Sequence, residues 1–391
     1  MIKLLAPIFG SGVGIAKGQQ TLFEALGAPM NSSGIQVSEQ QALGLTAVYR
    51  AISIISEGVA QLPVDVFQKV DESRVHINSP IEDTLNVRAN DHMSAFTFRS
   101  TMLSHVLGYG NGYAEIQLNG GGEPVALWPL MPDCTLPIIY NGELSYNTTI
   151  DGQNITLPAE RVLHVPGLSY DGYIGYSPIR LHRESLGLAK AMEEHAGKYF
   201  RHETTSGGII EVPGALSDTQ LKNMRESWYA QGGLSNAHRA KILEGGAKFN
   251  RHPINHSDAQ FLENRQYQVE EVSRMYGVPL FMLSSETKST SWGTGIGQMS
   301  LGFLRYTLQP WIVRLEQEYR YKLLSAGQRR NGFYIKHNVS SLLRGDSQAR
   351  AAYYTSALNP QSGWMQRDEV RALEELNPLG EDTKNESGII E

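Results

Sequence analysis

Residue types able to do chemistry are thinly scattered along this chain, and their spacing argues against most of what they could support. Gly10, Gly12 and Gly14 form a glycine cluster. It lacks the Gly-x-Gly-x-x-Gly spacing and the preceding strand of a dinucleotide cradle, so it reads as part of a flexible arm. His252 and His256 stand four apart, as metal ligands on one helix face would. Pro253 lies between them and breaks the helix that would align them. Glu193-Glu194-His195 and His202-Glu203 bring acid–base groups together, but on a long helix with polar neighbours they read as a solvated face. Gly175-Tyr176-Ser177-Pro178-Ile179 lacks the second glycine of a nucleophile elbow. The single cysteine, Cys134, has no neighbour that would depress its thiol pKa and reads as a small apolar filler. No catalytic residue, cofactor or metal site is expected.

The 391 residues leave room for two or three packed modules. With 41% hydrophobic and 19% charged residues the composition is that of a soluble globular protein. No window approaches the ~18 consecutive apolar residues of a membrane span, and the first residues, interrupted by Pro7, do not form a secretory signal. One cysteine suits a reducing compartment. The formal charge of −6 argues against a protein that grips nucleic acid through a basic surplus.

The elements that would position any site follow from periodicity. Residues 1–40 are rich in Gly, Ser and Ala and read as a loose arm, with order from Ser38. Leu45, Val48, Ile52, Ile55, Val59 and Leu62 step by three and four, one stripe of an amphipathic helix ended by Pro63. Val64–Gln68 is β-prone, and Ser94 caps a second helix through Phe98, Met102 and Val106 that stops in the glycine cluster 108–112. From Tyr113 to Val165 short β-prone runs alternate with turn signals such as Asn119-Gly120 and Asp151-Gly152. Ser177-Pro178 opens a long helix with Leu181, Ser185, Leu188, Met192, Ala196 and Tyr199 on one face. A small αβ insertion follows, with strands at 209–212, 240–243 and 248–253 and a helix over 217–231 carrying Trp228 and Tyr229. Another helix runs from Ser257 to Gly277. The tract Glu286, Thr287, Lys288, Ser289, Thr290, Ser291, Trp292 has almost no apolar anchor and reads as an unpacked loop. A long helix with Pro310 inside it, where a kink is expected, precedes two shorter helices joined at Asn359-Pro360 and an acidic tail.

Seven strings in this order resemble the portal, or head–tail connector, proteins of tailed bacteriophages, in their compact long-tailed-phage branch. They are Leu45–Phe67, Met93–Glu115, Leu127–Pro132, Leu157–Arg180, Asp258–Pro279, Phe303–Leu315 and Asn338–Gly345. The arm at 1–40 and the tail at 380–391 lie outside the resemblance, which implies an α+β, mainly helical fold with a wing at 41–176. It further implies stem helices at 177–205 and 256–277 around a clip at 206–255, and a channel loop at 278–298. The long wing helix would occupy 299–340 and a helical crown 341–379.

The resemblance also implies a ring of twelve copies at one capsid vertex, through which double-stranded DNA passes non-specifically during packaging and ejection. Its expected partners are further copies of itself, the terminase large subunit, the major capsid protein and head–tail connector proteins. It would reside in the virion, and in the host cytoplasm during assembly, without a membrane. Glu286, Thr287, Lys288, Ser289, Thr290, Ser291 and Trp292 would then line the channel, and Trp228 and Tyr229 would anchor a clip interface. Twelve chains carry 12 × (−6) = −72, which suits a conduit that must not bind DNA tightly. The competing readings are another phage ring adaptor, or an enzyme acting on DNA or cell wall, which would need a catalytic cluster.

Overall fold

In the computed structural model, residues 37–140, 142–202, 208–230, 246–251, 258–284, 294–339, 347–374 and 376–379 are described. They divide into two units. The larger comprises residues up to Gln61 together with Val66–Ile335; the smaller comprises Leu62–Asp65 and everything from Lys336.

In the larger unit, Ser38 caps a one-turn helix, Glu39–Ala42, through a reciprocal box with Gln41. α1 (Thr46–Ala60) then buries Val48, Ile52, Ile55 and Val59, the stripe the spacing predicts. β1 (Val64–Val70) turns at Asp71, whose φ of +53° is tolerable for an Asp, into β2 (Ser73–His76). α2 (Pro80–Asn86), capped by Ser79 with Pro80 in its first turn, was not evident from periodicity because it is barely two turns long. α3 (Ala95–Tyr109) starts at the Ser94 cap and packs along α1 with Phe98, Met102, Leu103 and Val106 buried.

Two antiparallel sheets follow. β3 (Asn111–Leu118) lies between β4 (Pro124–Leu130) and β8 (Val162–Pro166); β5 (Leu136–Tyr140), β6 (Glu143–Ile150) and β7 (Gln153–Pro158) form a meander. The β6–β7 hairpin turns at Asp151 and Gly152, both with positive φ, the geometry that matches strand twist. Tyr113, Leu130, Tyr146, Leu157 and Val162 close a core between the sheets.

The helical half begins with Pro178–Leu181, capped by the Ser177 hydroxyl. The expected continuous helix is interrupted at His182 and resumes as α4 (Arg183–His202). A second difference concerns its apolar face: Leu181 and Leu188 are 40% and 45% exposed, while Leu186, off the expected stripe, is buried. β9 (Gly208–Glu211) pairs with β10 (Lys248–Arg251) beside α5 (Asp218–Ala230); the strand expected at 240–243 lies outside the described residues. α6 (Asp258–Tyr276) packs on α4 and α1. After α7 (Thr294–Phe303) the chain widens into a π-helical turn, Leu304–Leu308, and continues as α8 (Gln309–Leu323). Pro310 explains the widening: its ring would clash with the carbonyl four residues back, and a π turn, with Gln309 N–H on the Leu304 carbonyl, relieves that crowding. The chain does not stay helical to residue 340. A short helix, Ala326–Arg330, and β11 (Phe333–His337) on the free edge of β1 follow α8.

In the smaller unit, Asn338 N–H donates to the Pro63 carbonyl at 2.8 Å. α9 (Ser347–Ala357) and α10 (Arg367–Leu373) are held together by Glu374, which accepts from Arg350 and from the Tyr354 hydroxyl. The two helices flank the Asn359-Pro360 break expected there. Helices and small antiparallel sheets alternate along the chain, without the parallel βαβ units of an α/β fold, as in an α+β fold.

Candidate functional site

Glu286, Thr287, Lys288, Ser289, Thr290, Ser291 and Trp292 lie outside the described residues, as do His252 and His256. The structure describes the segments that precede and follow that tract. At its entry, α6 ends at Gly277 with φ +67°, and the Thr307 hydroxyl of the π turn donates to the Gly277 carbonyl at 2.6 Å. The Ser273 hydroxyl donates to the Val278 carbonyl at 2.7 Å, and the Tyr276 hydroxyl to the Leu107 carbonyl of α3 at 3.2 Å. The one-turn helix Leu280–Leu283 then delivers Ser284, and Thr294 opens α7 on the far side. Trp228 and Tyr229 occupy the last turn of α5, away from these anchors in sequence.

Beside the anchors, α1, α4, α6 and the Leu280–Leu283 turn enclose a groove of about 670 Å³. Apolar and amide side chains dominate its wall, with Met192, Gln268, Val272 and Phe281 among them; the charged members are Glu193, Arg265 and Glu270. Glu193 therefore faces a groove and is half-buried, whereas Glu194 is exposed as expected. Along the helices themselves α4 carries four basic and three acidic residues, α6 two and four, and α7 none. The tract 286–292 carries one of each. No basic stripe runs along these elements, so strong phosphate neutralisation is not what they are built for.

Sequence reasoning missed a buried polar network that sets the approach to α4. The Asn111 amide donates to the Gly175 carbonyl at 2.8 Å, and its carbonyl oxygen accepts from Gly175 N–H at 2.8 Å. That oxygen also meets His164 Nε2 at 3.1 Å, while His164 Nδ1 meets the Tyr146 hydroxyl at 3.1 Å. An acceptor at Nε2 fixes the proton there, so Nδ1 accepts from Tyr146 and the ring is neutral. Burial, aided by Lys322, pushes the His164 pKa down to about 3. Arg314 of α8 donates to the Pro166 and Gly167 carbonyls, and Lys322 to that of Ala159. Arg180 pairs with Glu39 at 2.6 Å and the Ser177 hydroxyl donates to the Gly108 carbonyl at 2.7 Å. The strings Met93–Glu115 and Leu157–Arg180, singled out for their resemblance, contain its residues apart from Glu39, Tyr146, Arg314 and Lys322 but do not show that they meet. Cys134 is a correction: it is exposed rather than a filler, and Asp133 beside it raises its thiol pKa.

The family model for phage portal proteins matches residues 46–375. A probable portal protein of Streptomyces phage phiC31 is 33% identical over 363 residues, covering 89% of this chain and 78% of that protein. The portal protein of Enterobacteria phage HK97 is 31% identical over 347 residues, covering 88% and 81%. Among solved structures, the virion of a native gene transfer agent particle superposes with a TM-score of 0.60 at 20% identity, covering 93% of this chain and 99% of that one. The neck of the native particle computed with C12 symmetry gives 0.56 at 19%, covering 92% and 99%.

Proposed function

The chain belongs to the phage portal protein family, and from that premise we propose that twelve copies close into a ring whose axis is a passage for double-stranded DNA. The observation that carries this reading is the pairing of rigid anchors with a nearly uncharged crossing. Gly277 and Thr307 are tied at 2.6 Å, while the tract 286–292 and α7 between them carry one acidic and one basic residue in all. An almost neutral tract touches a polyanion without accumulating the counterion-release affinity that would stall it. Lys288, Ser289, Thr290 and Ser291 supply loose contacts to the DNA backbone, and Glu286 limits their strength. The C12 symmetry of the gene transfer agent neck supports the subunit number.

In this reading the protein sits at one vertex of the virion after assembly in the host cytoplasm, against the major capsid protein. Its wing spans 41–176 and 299–340, its stem helices 177–205 and 256–277 flank the clip at 206–255, and the segment from 341 forms the crown. The clip residues Trp228 and Tyr229 anchor contacts to the terminase large subunit and to head–tail connector proteins. ATP hydrolysis belongs to that separate motor, and the portal itself performs no catalysis. Electron microscopy of the purified protein tests the proposal: closed rings with an axial opening wide enough for duplex DNA support it. Monomers with nuclease activity would overturn it in favour of the enzyme reading.

A further inference from the structure

The loop that leads into α4 is held rigidly yet presents apolar side chains to water. The Asp171 carboxylate accepts from the N–H groups of Tyr173 and Ile174 at 2.8 and 3.0 Å and from the Ser169 hydroxyl at 2.9 Å. Gly172 N–H donates to the Ser169 hydroxyl and Tyr176 N–H to the Leu168 carbonyl. Gly175 is locked to Asn111 on both its backbone groups. On this frame Leu168 is 75% and Tyr170 92% exposed. The same unit of the chain holds the groove beside α4 and α6. The helix bearing its wall, α4, leaves Leu188 45% exposed, and Ala189 and Met192 line the groove itself.

A ring built head to tail requires two different, complementary patches on every subunit. We propose that Leu168 and Tyr170 of one subunit seat in the groove between α4 and α6 of the next, an inference that rests on the ring reading. The groove's 670 Å³ and its apolar wall suit an aliphatic and an aromatic side chain. Gln268 in that wall, whose Oε1 accepts from the Ser185 hydroxyl at 3.4 Å, adds a polar side chain where a docked tyrosine hydroxyl would need a partner. Aromatic knobs on a preorganised loop lose little entropy on docking and anchor interfaces accordingly.

Two variants of the full chain test this. Because Leu168 and Tyr170 are exposed within the subunit, a Leu168→Ser, Tyr170→Ser variant keeps the unfolding midpoint of dissociated parental subunits, while the ring fraction at equal concentration falls at least tenfold. In a Cys134→Ser background, oxidation of preformed Tyr170→Cys, Ala189→Cys rings gives a ladder of covalent multimers on a denaturing gel, and neither single cysteine does. Parental ring yield from the double-serine variant, or intact rings without a ladder, overturns the docking while leaving the ring itself standing. Equal blocking of Ala189→Cys towards a maleimide in rings and in dissociated subunits places an occupant from within the chain in the groove and also overturns it. A parent that forms no rings sinks both readings.

Discussion

Asn111 satisfies three groups with one amide: the N–H and the carbonyl of Gly175, and His164. The backbone must come very close for this, since a Cβ on Gly175 would lie 2.0 Å from the Gly110 carbonyl oxygen. Gly175→Ala therefore forces the crossing apart, and overpacking of this kind costs about 3 kcal/mol, read as a lowered urea midpoint with little change in slope. His164 adds a pH dependence whose sign is fixed by its pKa of about 3 in the fold. His105 acts the same way, held down to about 4 by burial against a smaller opposing pull from Asp133. Between the ordinary value near 6.5 and these depressed ones, the unfolded chain binds more protons than the fold. Stability is therefore full above about pH 6.5 and declines as pH falls towards 3. Unfolding midpoints across that window show the slope, and His164→Gln flattens it. None of this was legible in the sequence, because Asn111, His164 and Gly175 lie more than 50 positions apart in part and meet only through the sheet pairing of β3 with β8. Cys134 misled because β-prone neighbours say that strands are near, whereas the residue itself lies in the exposed turn between β4 and β5.

Helix starts were the most readable elements. Ser94 and Ser177 accept the backbone N–H bonds their types and positions predict, and Ser38, where order was expected to begin, caps a one-turn helix. The consequence of Pro310 was readable in kind but not in form, since the crowding is resolved by a π turn rather than by a break. That turn is tied to α6 by the Thr307 hydroxyl. Thr307→Val keeps the shape and removes the donor, leaving the Gly277 carbonyl without it, so a loss of about 1 kcal/mol is expected in thermal or urea unfolding. An unchanged midpoint would mean that the π turn holds itself without α6. The apolar stripe on α4 shows the limit of periodicity: it reports that Leu181 and Leu188 belong under cover, not which chain supplies it.

At the scale of the whole molecule, the ordered strings of Leu45–Gly345 made the family legible, because several of them carry an element together with its turn or cap, as Met93–Glu115 carries α3 with its Ser94 cap and Gly110. The division into two units was not, since Lys336 opens the smaller one inside β11, where no composition shift marks a border. The charge balance was legible only once a role was attached to it. A net −6 disfavours a protein that holds DNA and suits one that lets it slide. If the tract 286–292 meets the DNA, reversing one charge in it shifts that balance in a predictable direction. Glu286→Lys leaves the tract with two basic residues and no acidic one. Each additional phosphate neutralised in the channel steepens the fall of log affinity with log salt by about 0.9. Rings of this variant retain duplex DNA more strongly at low salt, lose the excess as salt rises, and package more slowly. Lys288→Ala with Thr290→Ala moves retention the opposite way. Packaging and retention that stay at parental values in both variants, in rings of normal yield, would show that the tract does not touch the DNA and that the contacts lie on other elements.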